Sequence, residues 1–295
     1  MVSINPLKRK KTMKKYIFMA VAGMLALSSC SNDDNDMTQE KNAPRQMTFT
    51  ASYGDGVQTR ATLDPTTLGA EKKKVNFDAG DEISILSANN TNKEFTTEAG
   101  GASASFSGEA VNDTKFYAVY PYTAGLTLSG DVISGIVIPT SQWNNQFGKG
   151  YAGKSSWDPK APIAYATTIG SSLTFHNACA ILKVTITGSG TWAIFTISAN
   201  EPLAGTFSLD TSTGTLTPTS GSTTVAVGTD FYPTKCFDSN GDKTAYIAIA
   251  PGTYTNFKLH LYNDNSEDKP ITKSGSVTFV AGKIYDLGSY DVHNF

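Results

Sequence analysis

The heptapeptide MTFTASY, Met47–Tyr53, carries the pattern that decides the fold class of this chain. Apolar side chains alternate in it with Thr and Ser, and a period of two residues is typical of β-strands rather than helices. The same alternation returns in later segments, among them Glu82–Leu86, Val132–Ile138 and Tyr254–Tyr262. No window of ten or more residues has a helical pattern of apolar side chains. The sequence therefore predicts an all-β protein.

The composition agrees with many short strands joined by turns. The 295 residues include 37 Thr and 26 Gly, and only 17% are charged, which excludes coiled coils and long charged helices. The length favours two compact domains. An irregular polar and aromatic stretch at residues 141–162 precedes the predicted boundary, which separates β-sandwich domains at residues 47–170 and 171–295.

The charge is divided unevenly along the chain. Residues 1–29 carry six basic side chains and no acid, so the remainder has a net charge of −8. An acidic body is a poor partner for nucleic acid, because phosphate neutralisation needs clustered Lys and Arg. The run Lys72–Lys74 is the one basic cluster after residue 29, and we interpret it as a solvated loop.

Residues 1–29 have the features of an export signal. The apolar run Tyr16–Leu27 is shorter than the ~20 residues that a membrane-spanning helix requires, and it follows a basic segment. The run ends in Leu-Ser-Ser-Cys at Cys30, which resembles the bacterial lipobox and predicts diacylation of that cysteine. Two acyl chains form a stable membrane anchor. The alternative is ordinary secretory cleavage near Ser29, with Cys30 an incidental thiol.

Residues 30–46 are predicted to be a flexible acidic tether. The stretch Ser31–Asp36 is polar and acidic and offers no apolar side chain to pack. It also resembles the surface-export signal of Bacteroidetes lipoproteins, although a solvated linker predicts the same composition. The expected location is the cell surface, with the lipid anchor in the outer membrane.

The histidines and cysteines give no sign of catalysis. In a strand, His176 and Cys179 would face opposite sides because their spacing is odd. The alternation around His260 predicts a solvent-facing ring, and His293 lies close to the end of the sequence. Cys179 could pair with Cys236 in an oxidising compartment, although its apolar neighbours favour a core position. We expect no catalytic residue and no enzymatic activity, and only a hydrolase that uses two carboxylates stays open.

No metal or cofactor site is predicted either. The sequence has no Cys or His pair at zinc spacing and no phosphate-binding glycine motif. The acidic loop Asp264–Asp268 lacks the glycine and the closing glutamate of an EF-hand, which favours a solvated hairpin tip.

Three aromatic residues in the irregular stretch could form a stacking platform for a glycan: Trp143, Tyr151 and Trp157. On this hypothesis the chain is a monomeric surface lipoprotein that binds glycan through exposed loops. The alternative is that the three side chains pack at the domain junction.

Arginine is nearly absent from the body of the chain. After Arg60 there are fifteen Lys and no Arg, and between residue 30 and Arg60 the only other arginine is Arg45. An Arg-specific protease could therefore cut the exported chain only near its N-terminus. A genome biased toward Lys would explain the same distribution.

The sequence around Arg60 resembles the N-terminus of the fimbrillin family of Bacteroidales, the type V pilins and their relatives. In both, a strand and a glycine turn precede an arginine that is followed by a small residue. The likeness extends to five further segments: Lys74–Ile85, Phe116–Pro121, Leu173–Val184, Tyr246–Tyr254 and Val277–Leu287.

This resemblance implies two tandem transthyretin-like Greek-key β-sandwich domains after a lipoprotein signal peptide. It also implies a fimbrial subunit or adhesin whose N-terminal segment, here Cys30–Arg60, is removed by an Arg-specific protease after Arg60. A strand from a neighbouring subunit would then replace the lost one. The implied partners are other fimbrial subunits, and a surface glycan or protein of a host or bacterium.

One feature departs from the shaft pilins of the family, which tend to carry a distinct C-terminal extension as the donor strand. Here only eight residues follow Leu287. Either the last strands donate, or the chain is a tip, anchor or minor subunit.

Overall fold

The computed structural model describes residues 43–54, 62–63, 75–142, 155–158, 161–187, 192–228, 243–263 and 268–291. Regular structure in these ranges consists entirely of β-strands, and the prediction of an all-β protein is confirmed. Within the same ranges there is no helix of the length and hydropathy needed to cross a membrane.

The strands, in chain order, are β1 (Arg45–Tyr53), β2 (Thr62–Leu63), β3 (Val75–Asn76), β4 (Glu82–Ser87), β5 (Asn90–Thr97), β6 (Ser103–Ala110), β7 (Phe116–Tyr120), β8 (Thr127–Ser129), β9 (Val132–Ile138), β10 (Ser141–Gln142), β11 (Ser155–Trp157), β12 (Ala164–Thr168), β13 (Ser172–Asn177), β14 (Ala180–Thr187), β15 (Trp192–Ser198), β16 (Ala204–Asp210), β17 (Thr215–Ser222), β18 (Thr224–Gly228), β19 (Lys243–Ile249), β20 (Gly252–Thr255), β21 (Lys258–Asn263), β22 (Asp268–Thr272), β23 (Ser276–Phe279) and β24 (Ile284–Asp291).

Seven strands pair into a closed barrel in the order β1-β13-β12-β7-β4-β5-β6, with β6 completing the ring to β1. Alternation along each strand directs one set of side chains inward. The result is an aromatic core in which edge-to-face rings lie 5.1 to 6.4 Å apart between centroids. Its fully buried rings include those of Phe49, Phe95, Phe106 and Phe175.

A second hydrophobic core is formed by three larger sheets, ordered β10-β18-β15-β21-β22, β11-β19-β14-β24 and β17-β16-β9-β8. Their central strands are nearly continuous apolar runs, for example Ala180–Val184 on β14 and Ala245–Ala250 along and just after β19. Strands of this kind are buried on both faces, which explains why the alternation weakens there. Side chains on the outer wall of the barrel, among them Leu86 and Val119, join this second core.

The predicted boundary at residue 170 lies between two strands of one barrel. β12 and β13, on either side of it, pair with each other through Tyr165 and His176, and β13 also pairs with β1. β9, β10 and β11 come before residue 170, but each of them pairs with a strand that comes after residue 200. β8 forms a hairpin with β9. The division into domains 47–170 and 171–295 stays a prediction, and the observed pairing favours a barrel that extends to Asn177.

Candidate functional site

Most of the sequence-predicted site residues lie outside the described part of the chain. This holds for Cys30, Arg60, Trp143 and Tyr151. Trp157 ends β11, where its backbone is opposite Tyr246 of β19, and its side chain is likewise outside what is described. Lipidation, proteolytic processing and glycan contact at these residues stay predictions.

Gly54, just after the C-terminal end of β1, is the described residue nearest to Arg60 on its N-terminal side. Gly54 follows the strand, and its N–H donates to the Phe175 carbonyl at 3.1 Å. A Cβ at Gly54 would lie 3.1 Å from Cγ2 of Thr174, so the close approach favours glycine here. Seven residues, 54–60, lie between the end of β1 and the predicted cut after Arg60.

β1 is paired along both of its edges. It runs antiparallel to β6, with Arg45 opposite Ala110 at one end and Ser52 opposite Ser103 at the other. It runs parallel to β13 over its second half, where Thr50 to Tyr53 lie opposite Ser172 to Phe175. The strand therefore closes the barrel, and its loss would leave unpaired backbone groups on two neighbours.

The inner face of β1 supplies side chains to the aromatic core. Phe49 and Ala51 are fully buried. The Phe49 ring lies 5.1 Å from that of Phe116 and 5.5 Å from that of Phe95, between centroids. Tyr53 stacks on Phe77 with centroids 5.1 Å apart and ring planes inclined by 22°. Side chains of one strand thus fill an apolar cavity that the other barrel strands surround.

The outer face of β1 is lined by hydroxyl groups. Thr48 and Thr50 are exposed, and they lie opposite Ser107 and Ser105 of β6. The hydroxyl groups of Thr48 and Ser107 are 2.9 Å apart. Because these side chains are exposed, the outer face would accept different polar side chains on a strand in this position.

The C-terminal strand β24 is attached differently. It pairs in parallel with β14 along one edge, with an irregularity in register between Lys183 and Thr185, and it forms the edge of its sheet. All of its residues are at least partly exposed. Tyr285 packs edge-on against Phe279, with centroids 4.9 Å apart, and its hydroxyl oxygen accepts a bond from the Val280 N–H at 2.9 Å.

An exposed ion pair also links β24 to β14. Lys183 Nζ lies 2.5 Å from Asp286 Oδ2. The hydrogen bond from Lys183 lowers the pKa of the Asp286 carboxyl, and a further bond from the Gly288 N–H at 2.9 Å acts in the same direction.

A polar cluster joins the barrel to the second core. Lys115 Nζ and the Tyr117 hydroxyl, both at β7, donate to the same carboxylate oxygen of Asp131 at 2.6 Å. The backbone carbonyl of Asp131 accepts bonds from the N–H and the hydroxyl of Thr211 at 2.9 and 2.8 Å. The hydrogen bond from Lys115, followed by that from Tyr117, lowers the pKa of Asp131. Sequence reasoning missed this cluster, because its members are far apart in the chain.

The environment of the buried Cys179 thiol disfavours the reactive thiolate form. It is a free, fully buried side chain whose sulfur accepts a bond from the Ile163 N–H at 3.4 Å, and burial raises its pKa to about 12. His176 is exposed on β13, so it shares no environment with Cys179. His260 is half-buried, and its Nε2 lies 3.1 Å from the Ser198 hydroxyl. Within the described ranges, no three His, Cys, Asp or Glu residues cluster in a way that could hold a metal ion.

No protein-family model and no curated protein matches the chain. Solved structures that share its fold include two from Bacteroides species. A candidate cell adhesion protein from Bacteroides uniformis is 18% identical with a TM-score of 0.50, over 84% of this chain and 92% of the other. A second, from Bacteroides ovatus, is 14% identical with a TM-score of 0.50, over 85% and 94%. The chain therefore has the all-β fold of these Bacteroides proteins, in line with its resemblance to the fimbrillin family.

Proposed function

We propose that this protein is a cell-surface fimbrial subunit of the type V pilus class or an adhesin, with a structural rather than enzymatic role. It is exported as a lipoprotein, cut after Arg60 by an Arg-specific protease, and assembled by insertion of a strand from a neighbouring subunit. The shared fold of the two Bacteroides proteins supports a surface role. The position of β1 carries the rest of the proposal.

β1 is the strand that cleavage would release, and it is the strand that closes the barrel. Cutting after Arg60 leaves it held only by backbone pairing to β6 and β13 and by its buried side chains. Its departure exposes an apolar groove between two unpaired strand edges. An incoming strand can satisfy both, since main-chain pairing provides affinity and alternate side chains provide specificity.

The donor in this proposal lies in the C-terminal stretch from Val277 to Phe295. Among the described strands, β24 is an edge strand with one neighbour, which makes it easier to detach than a central strand. The rival expectation is that β24 is a resident strand whose loss unfolds the protein. Deleting residues 291–295, and then all residues after Ala281, separates the two: persistent assembly excludes the C-terminus as donor, and loss of β-structure by circular dichroism assigns β24 to the fold.

The anchor in this proposal is a lipid on Cys30, placed in the outer membrane. Replacing the residue, as Cys30→Ala, should abolish palmitate labelling and shift the protein out of the detergent phase. Unchanged labelling and partitioning would contradict lipidation at this position.

The experiment that tests the whole proposal begins with the purified full-length chain and an Arg-specific protease. We expect cleavage after Arg60, an intact body from Ala61 onward, and a ladder of oligomers on a non-boiled gel. The matched control is Arg60→Lys, which keeps the charge but removes the cleavage position. A wild-type protein that resists cleavage after Arg60, or that is cut and gives only a single band, would contradict the proposal.

A further inference from the structure

We propose that the groove occupied by β1 selects an incoming strand by the side chains at four alternate positions. These are a large apolar residue where Met47 lies, Phe where Phe49 lies, a small residue where Ala51 lies, and an aromatic residue where Tyr53 lies. Met47 itself is partly buried and packs against the barrel core. The inference rests on the proposed function, because it names the partner of the same groove: an extended strand of a neighbouring subunit with this pattern.

Backbone pairing leaves the choice of strand open. β1 is antiparallel to β6 and parallel to β13, so those two strands are antiparallel to each other. A strand inserted between them in either direction has one parallel and one antiparallel neighbour. The hydroxyl-lined outer face adds little discrimination, because its Thr and Ser side chains are mostly exposed. Selection therefore depends on the inward side chains.

The site of Phe49 is shaped for an aromatic ring. Phe95 and Phe116 flank it, and Phe106 lies opposite on β6. Gly108 of β6 makes room for this arrangement, since a Cβ there would lie 2.8 Å from Cγ of Phe95. A smaller apolar side chain would leave a cavity among these rings.

The site of Ala51 admits only a small side chain. Ala51 is fully buried and lies between two buried residues on its neighbours, Ala104 of β6 and Leu173 of β13. The interior is packed, and added methylene groups must displace side chains or backbone. This position excludes strands whose inward residues are all large and apolar.

The Tyr53 side chain packs against one face of the Phe77 ring. The two rings stack, and the Phe175 ring lies 5.9 Å away on a second side. Because Gly54 then passes close to Thr174, the pattern ends in an aromatic residue followed by glycine.

The pattern ranks the strands at the C-terminus of this chain. Val277–Ala281, VTFVA, repeats the apolar-Thr-Phe-x-Ala order of Met47–Ala51 and so matches three of the four positions, with Lys283 where Tyr53 lies. In the register that places Leu287 at the Phe49 position, β24 offers Ser289 at the small position but Asp291 where Tyr53 lies. We therefore expect Val277–Ala281 of a second copy to compete for the groove better than β24 does.

The test measures how fast the cut strand leaves. Full-length wild type and three variants are cut after Arg60, and the bound segment is followed by size exclusion and mass spectrometry. We expect release about tenfold faster or more for Ala51→Leu, and about a hundredfold or more for Phe49→Ala. The matched control Thr50→Gln, on the outer face, should stay within about twofold. Equal release rates for all four proteins would overturn the pattern.

A second measurement covers variants that fail to fold. Synthetic peptides of residues 46–54 with the same substitutions, and peptides of residues 275–283 and 284–291, compete with labelled wild-type peptide for cut wild-type protein. The expected order is wild type, then Ala51→Leu, then Phe49→Ala, with 275–283 ahead of 284–291. Competition that ignores these differences would overturn the selection rule. Failure of Arg60 to be cut, or of any residue 46–54 peptide to bind, would contradict the proposed function instead.

Discussion

The two terminal strands of the described chain are attached in opposite ways. β1 has a neighbour on each side and places two fully buried residues, Phe49 and Ala51, in the barrel core. β24 has one neighbour, and every one of its residues is at least partly exposed. Both segments are predicted to be strands, so the sequence pattern alone does not tell a closing strand from an edge strand.

The difference lies in what each strand leaves behind. Without β1 the barrel loses backbone partners on two strands and a fully buried aromatic side chain. Without β24, the edge of β14 becomes free and a half-buried surface around Phe279 is uncovered. We infer that β1 resembles a plug, which needs replacement once it is removed, whereas β24 resembles a cover that the second core can lose at lower cost.

The largest effect is expected from truncating the central side chain of β1. Phe49→Ala should lower the free energy of unfolding by about 3–5 kcal/mol, because it removes a fully buried ring and leaves a cavity between Phe95 and Phe116. Leu287→Ala on β24 should lower it by about 1–2 kcal/mol, because that side chain is half-exposed. Urea unfolding measures both values. Equal losses would remove the contrast between plug and cover.

The thiol of Cys179 reports on the second core. Its pKa of about 12, against an ordinary value near 9, lowers the thiolate fraction roughly a thousandfold at neutral pH. Alkylation of Cys179, followed by mass spectrometry, should therefore be slower by at least this factor than in unfolded protein. The protection should survive release of β1 after cleavage. Rapid labelling of the cut protein would show that the two cores open together.

Two glycine substitutions test the packing around Phe95, the ring that lies beside Phe49 in the barrel core. In Gly108→Ala the new methyl group would lie 2.7 Å from the Glu94 carbonyl oxygen and 2.8 Å from the Phe95 ring, so we expect a loss of about 1–3 kcal/mol. Gly170→Ala is the control, because its nearest neighbour would be 4.0 Å away, and it should change stability by less than about 0.5 kcal/mol. Thermal or urea unfolding distinguishes them. A neutral Gly108→Ala would mean that the packing around Phe95 is loose.

The sequence predicted the strands rich in large apolar side chains, whether or not these alternate, and missed several strands with weak hydrophobic contrast. Val132–Ile138 was predicted with the bounds observed. β6 was missed because its outward residues are Ser and its inward ones include the small Ala104 and Ala110, so the hydrophobic contrast is weak. Tyr254–Tyr262 was predicted as one strand but is two, because Asn256 adopts a positive φ of 52° and turns the chain.

The closing role of β1 could not be predicted from its own residues. It depends on β6 and β13, which lie about 55 and 120 positions away in the chain. Local alternation predicts that Met47–Tyr53 is a strand, and the arginine distribution draws attention to the segment after it. Neither reveals that both edges of the strand are occupied, because pairing between distant strands leaves no local signal.

The smallest expected effect concerns the ion pair that fastens β24. Because its hydrogen bond with Lys183 lowers the folded-state pKa of Asp286, the pair stabilises the fold above the unfolded pKa, near 4, and that contribution is lost as pH falls through the folded value. Both side chains are substantially exposed, so solvent screening should limit the contribution to about 0.5 kcal/mol. A double-mutant cycle of Asp286→Asn and Lys183→Met, measured by urea unfolding at pH 7 and at pH 2.5, isolates it. The coupling should be present at pH 7 and absent at pH 2.5. A coupling that grows on acidification would refute the assignment.

Acid should therefore affect the two terminal strands differently. The inward contacts of Phe49 and Ala51 involve no ionisable group, so acid should leave those contacts of β1 unchanged while it weakens this attachment of β24.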